Sequence, residues 1–193
     1  MSAPRITEIA HLFVERCLRP GDRAVDATAG NGYDTRFLAD LVGPGGRVDA
    51  FDLQLEAVTK TREKTAHLPQ VRVHHAGHER MEEHVTAPVK AVMFNLGYLP
   101  SGDKSVITRP DSTLAALDAA VRLLDAGGVI TVVAYPGHGG GEEETTEVTA
   151  WFRSLCRDRF RVLQLGPLDR PGVPDESPRL LAAWRGKRAG AET

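Results

Sequence analysis

Between an apolar strand pattern and a helical one stands Asp26-Ala27-Thr28-Ala29-Gly30-Asn31-Gly32. Small residues at such a turn let backbone N–H groups come close to a ligand, and the start of the following helix favours anionic groups. The spacing is D-x-x-x-G-x-G. Thr35 stands where a G-x-G-x-x-G fingerprint has its third glycine, which speaks against a dinucleotide pyrophosphate. S-adenosylmethionine fits better, because it needs room for an amino-acid tail and carries no phosphate. A tight turn that holds no ligand is the competing reading.

A second carboxylate, Asp52, ends the next strand pattern 26 residues beyond Asp26. A carboxylate at that place grips a ribose diol through two O–H···O⁻ bonds. Asp49 falls inside the strand, which leaves Asp52 as the ribose ligand and Gln54 as a second polar contact in the same crevice. Asp52 could also cap the helix behind it. After the third strand comes His74-His75-Ala76-Gly77-His78-Glu79. Adjacent strand residues face opposite sides, so His74 and His75 do not share an ion. His78-Glu79-Arg80-Met81-Glu82 also lacks the second histidine of H-E-x-x-H, and no metal site is expected. Gly77 and His78 flank the adenine position, with His78 as an adenine contact. His74 and His75 read as strand packing or solvent-facing side chains.

The fourth strand ends Met93-Phe94-Asn95-Leu96-Gly97-Tyr98-Leu99-Pro100. An Asn at a strand tip with an aromatic three residues on is similar to the N-P-P-Y loop of amino-group methyltransferases. There the amide oxygen and a backbone carbonyl accept N–H bonds from the amine, and the aromatic stacks on the acceptor. Leu96-Gly97 replaces the two prolines here. A plain glycine turn, with Tyr98 as a lid or core residue, is the alternative.

These groups need a frame that brings strand ends together, and the patterning supplies one. Apolar residues at helical spacing mark 6–18, 33–41, 54–65, 111–124 and 142–155. Asp111 or Ser112 is the expected cap of the fourth of these, and Gly127-Gly128 its close. Acidic residues open the fifth, where they complement the helix dipole. Strand patterns fall at 23–27, 48–51, 71–75, 91–96, 129–135, 161–165 and 179–184. The run Val129–Tyr135 is rich in β-branched residues and fits a central parallel strand buried on both faces. Gly166–Pro178 has no helical pattern, so the last two strands pair antiparallel. The expected fold is a single Rossmann-like α/β domain spanning 1–193, with a mostly parallel seven-stranded sheet and one antiparallel strand.

Composition narrows the function classes. The chain has 193 residues, with 24 Lys+Arg against 26 Asp+Glu, a formal charge of -2. No global basic field therefore points to a nucleic acid. Contact with one would come from local clusters, Arg153, Arg157, Arg159 and Arg161 or Arg16, Arg19 and Arg23, which otherwise read as solvated faces. The two cysteines, Cys17 and Cys156, make no disulfide framework and read as buried small hydrophobes. No signal-peptide pattern and no membrane-length apolar run is present. A cytoplasmic protein is expected.

Five stretches occur together and in order: Asp26-Ala-Thr-Ala-Gly-Asn-Gly-Tyr-Asp-Thr35, Phe51-Asp-Leu-Gln54, Gly77-His-Glu79, Asn95-Leu-Gly-Tyr-Leu-Pro-Ser-Gly-Asp-Lys104 and Tyr135-Pro-Gly-His-Gly-Gly140. On these the chain resembles the bacterial YtqB-like family long labelled "putative rRNA methylase", over about residues 6 to 155. That family is assigned as tRNA methyltransferases that complete 5-methylaminomethyl-(2-thio)uridine at the wobble position. The resemblance implies a class I methyltransferase fold, S-adenosylmethionine as cofactor and tRNA as partner. It implies cofactor contacts from Asp26, Gly30, Asn31, Gly32, Asp34, Asp52, Gln54, Gly77 and His78. Asn95 and the Leu96 carbonyl would accept the amine hydrogens, and Tyr98 would lie against the uracil. His138 would take up a proton or meet a phosphate, and Asp103 and Lys104 would meet the RNA backbone. Tyr33 stands where the family usually has His, and Ser101 where it has Gly. The stretch before the last strand carries Pro, Asp and Arg in place of an Asn/Pro-rich segment. An N-methyltransferase acting on rRNA, a protein or a small amine is the nearest alternative, and an NAD-binding oxidoreductase the rival from another class. A symmetric dimer is the generic expectation for a soluble oligomer.

Overall fold

The computed structural model describes residues 4–86, 88–97, 108–137, 139–166 and 176–186. Its sheet is organised around β4 (Val89–Asn95) and β5 (Leu124–Ala134), which pair parallel through the apolar run read from the sequence. Side chains alternate across a strand, so β5 divides its residues between two cores. Ile130, Val132 and Ala134 enter one and Val129 and Val133 the other. β1 (Arg23–Asp26), β2 (Arg47–Asp52) and β3 (Val71–His75) extend the sheet parallel on one side. β7 (Arg179–Arg185) pairs antiparallel with β5 and with the edge strand β6 (Phe160–Leu165). The order is β3-β2-β1-β4-β5-β7-β6, the Rossmann-like class I methyltransferase arrangement expected, with β7 as the one reversed strand.

Crossovers between parallel strands place helices on both faces. α1 (Ile6–Cys17) and α2 (Tyr33–Val42) bury Ala10, Val14, Leu38 and Val42 on one face. α3 (Leu55–Thr65) packs beside α2 and against β2 and β3. α5 (Pro110–Leu123) and α6 (Gly141–Ser154) bury Leu117, Ala120, Val148 and Phe152 on the other. Glu8 starts α1 by accepting the Arg5 backbone N–H at 2.9 Å.

Three local expectations are corrected, and two short elements are added. α5 starts at Pro110, with Arg109 at the cap position and no side-chain cap. Neither Asp111 nor Ser112 caps it, because proline's fixed φ already suits a first helical turn. Gly127-Gly128 does not close α5, which ends at Leu123. The pair lies in the irregular start of β5, where a Cβ on Gly128 would stand 2.9 Å from the Lys90 carbonyl oxygen. Between β3 and β4 the chain makes a 3-10 turn, His78–Arg80, and a one-turn α4 (Met81–His84), too short to leave a period. Cys156 is exposed in the turn after α6, while Cys17 is half-buried.

The arginine clusters are placed by topology. Arg16 and Arg19 lie at the end of α1, Arg23 at the start of β1, Arg153 and Arg157 around the end of α6, and Arg159 and Arg161 around the start of β6. All seven are exposed. β1 and β6 run in the same sense, since β7 alone is reversed, so both clusters gather at the end of the sheet where parallel strands begin. Ligand crevices of such sheets open at the opposite end, where β1 has β2 on one side and β4 on the other.

Candidate functional site

At that opposite end a cavity of about 1380 Å³ runs over the tips of β1, β2, β4 and β5 and up between α1 and α2. The loop after β1 forms its floor. Ala27 N–H donates to the Met93 carbonyl and Ala29 N–H to the Phe51 carbonyl, which ties the loop to β4 and β2. Gly30 (φ +52°) and Gly32 (φ +74°) take the left-handed conformations that let it turn into α2. A Cβ on Gly32 would also meet Thr61 Cα at 3.0 Å. Glycine is required there by conformation and by space.

Asp52 faces this loop from the tip of β2. One carboxylate oxygen accepts Gly30 N–H at 2.9 Å and the other accepts Gln54 N–H at 2.9 Å. Each oxygen keeps a further lone pair, as a ribose diol would need. Gly30, Asn31, Asp34, Gln54, Gly77, Asn95 and Leu96 line the cavity with it.

Asp26 and Gly32 do not line it. Asp26 is fully buried beneath the loop, where it accepts Thr28 N–H at 3.1 Å and the Thr35 hydroxyl at 2.5 Å. Thr35, read from the sequence only as a missing glycine, is therefore the hydroxyl that holds Asp26. Burial, followed by the charge of Asp34 and then that of Asp52, pushes the Asp26 carboxyl up to about 7 against the bonds from Thr35 and Thr28. His11 of α1 lies flat on Phe37 at 3.7 Å and shares a 2.7 Å bond between its Nε2 and Asp34. The residues of α1 that line the cavity, Thr7, Glu8 and His11, fall outside the sequence motifs.

His78 is nearly enclosed, at 6% exposure, and packs edge-on against Phe94. Its Nδ1 lies 3.2 Å from the Ala27 carbonyl. A carbonyl only accepts, so Nδ1 carries the hydrogen and Nε2 keeps a lone pair, buried and without a partner among the described residues. Burial lowers the tendency of this ring to protonate. His74 is bonded to Asp49 at 2.9 Å, and Asp49 also accepts Arg47, so this aspartate is committed inside the sheet. Among the described residues no cluster of three or more His, Cys, Asp or Glu could hold a metal ion.

At the tip of β4 the Asn95 backbone N–H donates to the Thr28 hydroxyl at 2.7 Å. Leu96 N–H donates to the Val133 carbonyl of β5. The Asn95 amide has no hydrogen bond to any described residue. Tyr98, Asp103, Lys104 and His138 lie outside the described residues.

The donor set fits S-adenosylmethionine. Asp52 suits a diol, and the three carboxylates of Asp26, Asp34 and Asp52 around one floor favour a cationic ligand over an anionic pyrophosphate. Asp52, with Gly30 and Gln54 behind it, would hold the ribose. The cofactor would supply an electrophilic methyl group on a sulfonium.

The profile of the family described as "Putative rRNA methylase" matches residues 48–182. The chain belongs to this family. Its members and neighbours carry the same frame. The "tRNA (mnm(5)s(2)U34)-methyltransferase, chloroplastic" of Arabidopsis thaliana is 40% identical over 187 residues, covering 88% of this chain and 67% of the plant protein. The crystal structure of a Clostridium thermocellum protein described as a "putative rRNA-methylase" has a TM-score of 0.88 at 40% identity, covering 96% of this chain and 100% of that one. A Streptococcus mutans protein, solved as "a putative methyltransferase" in complex with SAH, has a TM-score of 0.83 at 35% identity, covering 95% and 99%.

Among the described residues, the arginines that reach the cavity are Arg5, Arg36 and Arg109. Arg5 is paired with Glu8 and Arg36 with Asp40. Arg109 has no carboxylate partner among the described residues. The seven arginines singled out from sequence line no part of it.

Proposed function

We propose that this chain is an S-adenosylmethionine-dependent N-methyltransferase acting on tRNA. Its substrate would be the primary amine of 5-aminomethyl-(2-thio)uridine at the wobble position. The observation that carries the reading is Asn95, whose side-chain amide has no partner among the described residues while its backbone is pinned to the loop after β1 through Thr28. The name of the plant relative, a wobble-uridine methyltransferase, supports the substrate.

An alkylamine has an ordinary pKa near that of lysine, about 10, and only its neutral form has a lone pair to donate. Removal from water into the cavity favours the neutral form, as do nearby positive charges. Asn95 Oδ1 and the Leu96 carbonyl accept the two amine hydrogens and aim the lone pair toward the floor. The N–C bond forms as the C–S bond breaks, and the resulting secondary ammonium loses its extra proton to solvent. Neutral acceptors suit this task, since a carboxylate at the same place would favour the ammonium ion.

Nucleoside mass spectrometry tests the assignment. Purified protein and labelled cofactor are incubated with tRNA that carries the free aminomethyl group, and in parallel with rRNA. Label recovered in methylaminomethyl-uridine of tRNA is expected. Label in rRNA alone would overturn the tRNA assignment. We also propose a cytoplasmic single-domain protein that forms a symmetric homodimer. Sedimentation as a monomer would remove the dimer.

A further inference from the structure

Glu144 is a buried carboxylate for which neither the sequence motifs nor the methyl-transfer reading provides a role. It lies in the first turn of α6 at 2% exposure. No cation pairs with it among the described residues. Two hydroxyls do: Thr108 donates to Oε2 at 2.6 Å, and Thr113 donates to Oε1 at 2.7 Å. The helix dipole favours an acid at this end. That alone would be satisfied by an exposed residue such as Glu142 or Glu143 in the same turn. An enclosed charge is costly, and well-packed apolar groups often replace such charges without loss.

The bonds beyond Thr108 give this carboxylate a direction of action. The Thr108 hydroxyl spends its one hydrogen on Glu144, so its oxygen is set to accept. It accepts Gly97 N–H at 3.2 Å, and Thr108 N–H returns a bond to the Gly97 carbonyl at 3.3 Å. Gly97 (φ +150°) follows Leu96 directly and Asn95 by two residues. Asn95 is thus fixed from one side by Thr28, and the chain just beyond it is fixed from the other by Thr108 on Glu144.

We propose that Glu144 is a positioning residue for methyl transfer, acting through Thr108 and Gly97 to set the Asn95 and Leu96 acceptors against the amine. The proposal rests on the reading of Asn95 and Leu96 as substrate acceptors. A displacement of about 1 Å at a reacting pair can cost about a hundredfold in rate. The relay should therefore appear in kcat more than in cofactor affinity.

The test is a set of near-isosteric variants assayed at saturating tRNA. Thr108→Val keeps the volume and removes the link, and is expected to lower kcat about ten- to a hundredfold. Its cofactor affinity should stay near that of the parent, whereas its melting temperature should fall because the buried carboxylate loses one of its two donors. Thr108→Ser restores a hydroxyl and should recover most of the rate, which a purely structural role would not require. Glu144→Gln keeps an amide oxygen for one threonine and should fall between. Thr113→Val leaves the Thr108 link intact and should stay near the parent. Full kcat in both Thr108→Val and Glu144→Gln, with Asn95→Ala inactive, overturns the relay alone. Full kcat in Asn95→Ala overturns the acceptor reading and the relay with it.

Discussion

The Thr28 hydroxyl accepts the Asn95 backbone N–H at 2.7 Å, joining the loop after β1 to the tip of β4. These residues are 67 positions apart and meet because β1 and β4 are parallel neighbours. On the proposed reading, the bond keeps the loop that would hold the methyl donor in register with the residue that would hold the amine.

Thr28→Val should therefore affect turnover more than folding. It leaves a half-buried N–H without its acceptor, a cost of about 1–3 kcal/mol if the strand tip does not move. Relaxation of the tip would relieve that cost and displace Asn95. A fall of about tenfold or more in kcat, with smaller change in cofactor affinity, is expected. Calorimetric cofactor titration beside single-turnover kinetics separates the two effects. Equal loss in affinity and turnover would make Thr28 part of the cofactor site alone.

Asp52 supports a different measurement. Its oxygens fix Gly30 and Gln54 and keep lone pairs for a diol. Asp52→Ala removes two charge-assisted acceptors, each worth about 1.5–3 kcal/mol, so affinity for S-adenosylmethionine should drop about a hundredfold or more. Calorimetry that finds unchanged affinity would remove the ribose assignment. Asp49→Asn is the useful contrast. It disturbs the bonds to Arg47 and His74 inside the sheet and should lower melting temperature with little change in intrinsic cofactor affinity.

The strands, the long helices and the glycine turn after the first strand could be read directly because each leaves a local signature. Val129–Ala134 announces a doubly buried strand by its β-branched run, and Gly30 and Gly32 announce a turn. Other features depend on neighbours distant in sequence. Glu144 reads as one more acid in a helical first turn, and only packing brings Thr113 and Thr108 to it, from 31 and 36 residues away. Thr35 reads as an absent glycine until Asp26 lies beneath it. The position of the arginine clusters in the fold is hidden for a related reason. Their density is a local property, whereas the end of the sheet that they occupy is set by the crossovers.

Asp26 should make cofactor binding depend on pH. Its carboxyl is pushed up to about 7 by burial and then by the charges of Asp34 and Asp52. A cationic sulfonium favours its ionised form, so binding below about 7 must release a proton. Affinity should rise with pH by at most about tenfold per unit, and level off above about 7. Stability of the free protein follows the opposite course. The folded state holds a proton between the ordinary carboxylate range and about 7, whereas the unfolded chain does not. Asp26 therefore makes the free protein less stable as pH rises through that window. Thr35→Val removes a bond that lowers the Asp26 pKa, and should shift the binding curve to higher pH. Calorimetry in buffers of different ionisation enthalpy reads the released proton directly. Binding with no proton release between pH 6 and 7 would contradict this account.

RNA contact is testable through salt. Arg109 reaches the cavity without a carboxylate partner among the described residues, whereas Arg157, Arg159 and Arg161 lie at the other end of the sheet. Each phosphate contact releases condensed counterions, and its loss lowers the slope of log affinity against log salt by about 0.7 to 0.9. Arg109→Gln should weaken tRNA binding and flatten that slope by about one contact. The triple change of Arg157, Arg159 and Arg161 to Gln should leave slope and turnover near the parent. Were the triple variant to flatten the slope while Arg109→Gln did not, the tRNA would be held at the strand-start end of the sheet. The amine would then have to reach Asn95 from a body of RNA anchored on the far side of the domain. One measurement thus decides which end of the sheet faces the tRNA.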